Sequence, residues 1–382
     1  MKVSLTRFWR KPEMKAATGY VAFATEGRAH WSSRSYGSLA REGFMRNPVA
    51  YRAVRMICEA AASIPWLAYE NGREVSDHAA LKLLARPNGR SAGNEFLEAL
   101  YGHLTLSGNA YVEALEVDGS PRELHLLRPD RVRVIDGRDG WPESYEYRVG
   151  STVRRYGADG EERLLHLRLF HPVDDQLGFP PLEAAHMALD LHNAAATWNK
   201  ALLDNSARPS GALVYQPKEG GNLSSDQFDR LKAELDEGYS GPAKAGRPLL
   251  LEGGLDWKSM GLSPKDMDFV EAKNGASRDI ALALGVPPML MGIPGDNTYS
   301  NYQEANRAFY RLTVLPLVMR TGGALSNWMS GLYGADLKLT ADLDQVAGLS
   351  AERDQLWARV SAADFLTDAE KRDAVGYGSG EA

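Results

Sequence analysis

One cysteine, Cys58, occurs in the 382 residues of this chain. A lone cysteine makes no internal disulfide, so no covalent staple is expected and a reducing cytoplasm suits the chain. Cys58 lies in an apolar helix pattern, where a small core residue is the expected role rather than a nucleophile. Long apolar runs are also missing. No stretch of about 18 such residues occurs, so no membrane span is expected. The start of the chain is basic but lacks the apolar stretch of a secretory signal.

Catalytic strings are missing too. There is no GxxxxGK[ST] loop to cradle a nucleoside triphosphate, and no HExxH, GxSxG or CxxC. The segment Gly241-Pro242-Ala243-Lys244-Ala245-Gly246 holds glycine and lysine in the wrong order, with a proline between them, and reads as a loop. The densest polar group is His166, His171, Asp174, Asp175 and His186. Histidine and aspartate are suitable metal ligands. However, His166 lies in an alternating strand pattern, and Asp174-Asp175 read as a turn before Gly178. We therefore expect no metal, no cofactor and no catalytic residue. The acids of Gln227–Gly238 alternate with lysine and arginine as on a solvated helix.

A surplus of positive charge is the last absence. There are 44 Lys and Arg against 50 Asp and Glu, a formal charge of −6. A protein that grips DNA usually carries a basic stripe. Here the basic residues are scattered, apart from Lys2, Arg7, Arg10, Lys11 and Lys15. If such a chain handles DNA, it is expected to guide the duplex rather than hold it.

What is present reads as an α+β chain. With 44% hydrophobic and 25% charged residues, it has the composition of a folded protein long enough for two or three cores. Residues 1–44 show no sustained period and read as a mobile arm. A helix starts at Asn47 as cap with Pro48 in its first turn, and stops before Pro65. A strand from Trp66 to Glu70 meets an Asn71-Gly72 hairpin signal. Helix patterns follow over Asp77–Ala85 and Ala92–Leu106, the second ended by Ser107-Gly108. Strand patterns then dominate over 109–117, 123–127, 131–135, 145–149 and 164–170, with turns at Asp118-Gly119, Asp136-Gly137 and Asp159-Gly160.

A long helix is expected from Pro181 to about Asp204, roughly 36 Å at 1.5 Å per residue. Its polar stripe holds His186, Asp190, Asn193, Thr197, Lys200 and Asp204. One flank carries Leu182, Ala185, Leu189 and Leu203, and the other carries Met187, Leu191, Trp198 and Leu202. A surface helix of a monomer normally shows one apolar stripe. Two such faces suit a helix wedged between neighbours in a ring, or one buried on both sides within a domain. A compact module spans 208–262: strand GALVY, a helix over 224–241, strand PLLLE, a Gly253-Gly254 turn and strand DWKSM. A second long helix runs from Pro264 to about Leu284, with Phe269, Ala272, Ala276, Ile280 and Ala283 on one face.

Pro287 and Pro288 end that helix. A polar loop follows through Ile293, Gly295, Asp296, Asn297 and Thr298. A new helix then begins, with Ser300 as cap and Gln303 at the reciprocal position, and it breaks or kinks at Pro316. Thr367 and Glu370 make another capping box near the end.

The segment 289–311, MLMGIPGDNTYSNYQEANRAFYR, resembles the tunnel-loop region of tailed-phage portal proteins, the head–tail connectors at one capsid vertex. The stretches 47–66, 86–113, 124–134, 165–185 and 206–215 resemble the same family in the same order, and the portals of gene transfer agents most of all. Fold, parts and partners follow as implications of that resemblance. It implies an arm at 1–44, a wing at 45–180 and a stem helix at 181–207. A clip would occupy 208–262, a second stem helix 263–286, and the tunnel loop with a wing helix 287–345. A short helical crown and tail would end the chain at 346–382. Ile293, Pro294, Gly295, Asp296, Asn297, Thr298, Tyr299 and Ser300 would face a DNA channel. Leu182, Leu189, Trp198, Phe269 and Ile280 would pack the stem and ring.

The implied partners are further copies of the chain in a closed ring, a dodecamer in this family. The terminase large subunit, a head–tail adaptor and the major capsid protein would dock on it. Duplex DNA would pass through without sequence specificity. The implied location is the portal vertex of a virion or phage-like particle, assembled in the bacterial cytoplasm. Two other readings stand beside this one: an enzyme without a recognisable motif, and a DNA-binding protein acting outside a ring. Particle size separates them, because only a ring runs at many times the monomer mass.

Overall fold

The computed structural model describes residues 35–157, 163–204, 211–215, 255–259, 269–294 and 299–376, with isolated positions between 224 and 233. Helix α1 (Tyr36–Ser38) opens on Ser35 and widens into a π-helical stretch, Leu39–Met45. The expected arm of 1–44 is therefore too long, because its last residues are helical. Leu39 is buried, and Gly43 lies against Leu182 and Leu189. Two apolar contacts spread over ten residues leave no period to read.

Helix α2 (Pro48–Ala62) starts as its chemistry requires. The Asn47 carboxamide oxygen accepts the N–H groups of Val49 and Ala50, and Pro48 supplies a preset φ. Ala50, Ala53, Val54, Ile57, Cys58 and Ala61 form the buried face, at the 3–4 residue spacing of a helix stripe. That face packs on α4 (Gly93–Ser107), after the short α3 (Ala79–Ala85). Burial pushes the Cys58 thiol up to about 12. The folded protein is therefore expected to resist iodoacetamide at neutral pH and to label fully in denaturant, as read by intact mass. Labelling at equal rates in both states would contradict that burial.

Strand β1 (Trp66–Glu70) turns into β2 (Arg73–Glu74) through Asn71 and Gly72, both at positive φ as a type I′ turn requires. Its other edge pairs with β11 (Leu337–Ala341), from near the far end of the chain, in the register Trp66↔Ala341 to Glu70↔Leu337. Strand β3 (Asn109–Val117) is central in a sheet of order β4-β3-β8, with β4 (Ser120–Leu127) and β8 (Leu164–Arg168) on either side. A second meander joins β5 (Val132–Asp136), β6 (Pro142–Val149) and β7 (Thr152–Gly157). Its tyrosines 145, 147 and 156 pack on Tyr111, Leu127 and Leu164. Strand β7 lies outside the expected strands, because STVRRYG carries two arginines and little apolar alternation.

Helices α5 (Pro181–Ala184) and α6 (His186–Asp204) form the first long helical segment, interrupted at Ala185. Strands β9 (Gly211–Tyr215) and β10 (Leu255–Ser259) pair antiparallel, as GALVY and DWKSM suggested. Positions 226, 227, 229–231 and 233 are helical, whereas the strand expected at PLLLE lies outside the described residues. Helix α7 (Phe269–Ala283) packs on α6. Helix α8 (Tyr299–Phe309) continues through a π turn, Tyr310–Val314, into α9 (Leu315–Tyr333). Helices α10 (Ser350–Ser361) and α11 (Asp368–Val375) follow, the latter capped by Thr367 and Glu370 as expected.

One apolar core runs from Leu39 through α2, α4, β1, β3, α6 and α7 to α9, β11 and Leu349. Among the described residues, no helix is long and apolar enough to cross a membrane.

Candidate functional site: the channel loop and its stem helices

Helix α7 ends at Ala283, and Gly285 in the turn after it adopts φ +67. Pro287 and Pro288 then set a single 3-10 turn, Pro288–Met291, closed by Gly292 at φ +73. Ile293 is buried and Pro294 is exposed. Residues Gly295, Asp296, Asn297 and Thr298, the expected tip, lie outside the described residues. Tyr299 and Ser300 resume as the first turn of α8. The cap expected at Ser300 rests on a side chain outside the described ones. Boundaries read from sequence commonly move by one or two residues.

The entry to the loop and the base of its flanking helices are tied down. Arg278 of α7 donates to the Pro294 carbonyl. Thr313 donates its hydroxyl to the Gly285 carbonyl at 2.6 Å, joining the end of α7 to the π turn beyond α8. The basic residues below the loop are held by acids. Arg307 lies 3.2 Å from Glu304 and 3.2 Å from Glu352, and Arg311 lies 3.6 Å from Glu352.

The helix does not break at Pro316. Proline has no N–H for the Leu312 carbonyl four residues earlier, and its ring crowds that turn. The chain answers by widening into the π turn that ends at Val314 and then resumes α geometry. Such turns are frequent where a helix carries function. Tyr310 of this turn lies over Gly348, where an added Cβ would sit 2.2 Å from the ring. Sequence reasoning missed this contact and the Arg278, Thr313 and Glu352 links, since each joins segments distant in sequence.

The expected stem residues divide. Leu182, Leu189 and Ile280 are 0%, 3% and 0% exposed, inside the subunit's own core. Leu189 is thus excluded as a residue facing a neighbouring subunit, because α7 and Gly43 already cover it. Trp198 is half-buried. Phe269 opens α7, and its side chain lies outside the described ones. The polar stripe of α6 meets the segment before α2. Asn193 donates to the Glu42 carbonyl at 2.8 Å, and Arg46 donates to Thr197 at 3.2 Å. Asn47 donates to His192 Nδ1 at 3.1 Å and to Asn193 at 3.0 Å. Burial, with Lys273 nearby, holds His192 below its ordinary range and therefore neutral. One apolar flank of α6 is buried and the other, with Met187 and Leu191, is exposed.

The histidine and aspartate group near β8 is not assembled. His166 stacks on Tyr111 at 4.3 Å and donates from Nε2 to Asn109 at 2.9 Å. Burial pushes it down to about 3, so it stays neutral. Asp174 instead accepts the N–H groups of Gln176 and Leu177, each at 2.8 Å, and these bonds hold its carboxyl below the usual range. His171 accepts the Val173 N–H and meets Phe179 edge-on. Among the described residues, no three His, Cys, Asp or Glu converge as a metal site.

This geometry, two packed long helices bracketing a small module and a tied loop leading to a π-turned helix, agrees with comparisons to known proteins. The neck of an empty GTA (gene transfer agent) particle, computed with C6 symmetry, superposes with a TM-score of 0.72 at 52% identity, over 92% of this chain and 96% of that one. The neck of a native particle, computed with C12 symmetry, gives a TM-score of 0.70 at 52% identity over the same shares. The portal protein of Enterobacteria phage HK97 is 24% identical over 302 residues, 76% of this chain and 69% of its own. The model of the phage portal protein family matches residues 48–376, most of the chain, and the chain belongs to that family.

Proposed function

We propose that this protein is the ring-forming portal of a phage or gene transfer agent particle. Identical subunits close a ring through heterologous contacts, each using two unlike surfaces. DNA is driven through the central channel by a terminase that docks on the clip, and a head–tail adaptor replaces it after packaging. The capsid shell surrounds the wing. The role is structural: the protein makes and breaks no covalent bond. The observation that carries this reading is the likeness, over nearly the whole chain, to a solved particle neck with twelvefold symmetry. The exposed apolar flank of α6 supports it, since a subunit that stands alone gains nothing from such a face.

Within that reading, 45–180 is the wing, 181–207 and 263–286 are the stem, 208–262 is the clip, and 346–382 is the crown and tail. Residues Ile293–Ser300 form the channel loop. Their short polar groups touch phosphates without reading bases, as a conduit requires. The subunits belong at the portal vertex of the particle.

Native mass spectrometry and electron microscopy test the ring. Wild type is expected to give annular particles of many subunits. Deleting Gly295–Thr298 is expected to leave those rings intact, because Arg278 holds the loop's entry at Pro294 and Thr313 joins the flanking helices, both outside the deletion. Particles built with the deletion are expected to package or retain less DNA. A wild type that stays monomeric with its capsid partner present refutes the ring. Deletion particles that fill and hold DNA normally refute the loop's role.

A further inference from the structure

Two exposed apolar features stand at the top of the stem. The first is a stripe on α6, where Met187 is 61% and Leu191 47% exposed. With Ala194 and Trp198 they recur at i, i+4, i+7 and i+11, so they share one side of the helix. This side is opposite the one that carries Leu189 into the core. The second is a groove of about 500 Å³ where α7 meets the π turn, lined by Leu282, Pro287, Pro288 and Leu312 among others. Leu282 is 79% and Leu312 76% exposed, so the groove has apolar walls and no occupant among the described residues.

We infer that Met187 and Leu191 of one subunit seat in the Leu282–Leu312 groove of the next. This deepens the ring reading and rests on it. A closed ring repeats one heterologous contact, so each subunit must offer a stripe and a receptor that differ from each other. A helix stripe in an apolar groove is a recurring mode of recognition.

Height along the stem also agrees. Lys273 is near enough to His192 to disfavour its protonation, and α5 packs on α7. Both hold only if α6 and α7 run antiparallel, because a parallel α7 would lie beyond the reach of α5. The start of α6, with Met187 and Leu191, and the end of α7, with Leu282, then lie at the same end of the helix pair. Cyclic symmetry is rotation without translation. Surfaces that meet around a ring whose axis follows the stem must therefore lie at similar heights, and the stripe and the groove share one end of the helix pair.

The test uses cysteine pairs. Cys58 is buried with its thiol pushed up to about 12, so the wild type supplies little background. A double variant, Leu191→Cys with Leu312→Cys, treated with a short bismaleimide, is expected to give a ladder of covalent oligomers on a denaturing gel. The two single variants mixed before assembly are expected to add dimers alone, and each single variant by itself is expected to give none. Leu191→Cys paired with Val173→Cys, an exposed position on the loop after β8, is the control. Met187→Lys alone is expected to cut ring yield about tenfold, and Leu282→Glu added to it to restore rings, because opposite charges replace an apolar pair.

Rings that give no ladder, or a ladder equally strong in the control, overturn this inference and leave the ring reading standing. A wild type that forms no rings overturns the ring reading itself, and this inference with it.

Discussion

Replacing Gly108 with alanine is expected to destabilise the protein severely, while the same change at Gly119 is expected to be mild. The two glycines share the same backbone angle, φ +72. An L side chain in that region costs about 1 kcal/mol, and both variants carry that cost. Their surroundings differ. Gly108 is the left-handed cap of α4, and an added Cβ would lie 2.5 Å from the Gly178 carbonyl carbon and 2.6 Å from that of Phe179. Those atoms are backbone and cannot rotate away.

Gly178 is held in place from several sides. Asn109 accepts its N–H at 2.7 Å, and the neighbouring Leu169 N–H bonds the Gly108 carbonyl at 2.8 Å. At Gly119, in the β3–β4 turn, nothing lies within 4 Å. We expect Gly108→Ala to cost at least about 4 kcal/mol, the range where single changes report a broken packing contact. That is a large share of the roughly 5–15 kcal/mol that holds a domain folded. Denaturant midpoints measure both. Equal losses at the two sites would mean that the Gly108–Gly178 approach does not constrain the fold.

That contact also shows where sequence reasoning stops. The turn at Asp118-Gly119, the hairpin at Asn71-Gly72, the Asn47-Pro48 helix start and the Thr367/Glu370 box were legible because each is chemistry within a few residues. The Ser107-Gly108 helix end was legible for the same reason. The reason Gly108 must stay glycine was not, because it lies seventy residues away at Gly178. Strand β11 pairs with β1 across more than 260 residues and left no local sign beyond its own alternation. The break or kink expected at Pro316 takes the form of a π turn that ends two residues earlier, at Val314.

On α6 the division into two apolar flanks was readable by counting. Which flank is covered was not, because covering Leu182 and Leu189 depends on Gly43 and α7. The candidate channel loop was placed from its polar residues between helix signals, and its tip lies outside the described residues. Its anchors, Arg278 and Thr313, gave no such signal, since a lone arginine or threonine on a helix is ordinary.

Changing Asn47 is expected to produce a second large effect, one that depends on pH. This buried side chain uses both ends. Its oxygen caps α2 through Val49 and Ala50, and its amide donates to His192 and Asn193 of α6. Asn47→Ala removes the cap and leaves the His192 acceptor buried without a donor. Together these are expected to cost about 3 kcal/mol, taking about 1 for the cap and 1–3 for the orphaned group. Asn47→Asp keeps the cap but offers His192 Nδ1 a carboxylate in place of an N–H. That pairing needs a proton on Nδ1 and is strongest when His192 is the imidazolium ion.

The sign follows from linkage. In the wild type, burial first and Lys273 second hold the folded pKa of His192 below its unfolded value. Its contribution is present above the unfolded pKa and is lost as pH falls towards the folded one. In Asn47→Asp the carboxylate raises the folded pKa, so the histidine's contribution is larger at low pH and is lost as pH rises through that value. The stability gap between the two proteins is therefore expected to narrow as pH drops from about 7.5 to about 5.5, the window around an ordinary histidine. Asn47→Ala, which supplies no carboxylate, is expected to show no such narrowing. Denaturant midpoints for the three proteins at both pH values decide it. A gap for Asn47→Asp that stays constant across that window would show that the joint between α2 and α6 does not work through His192.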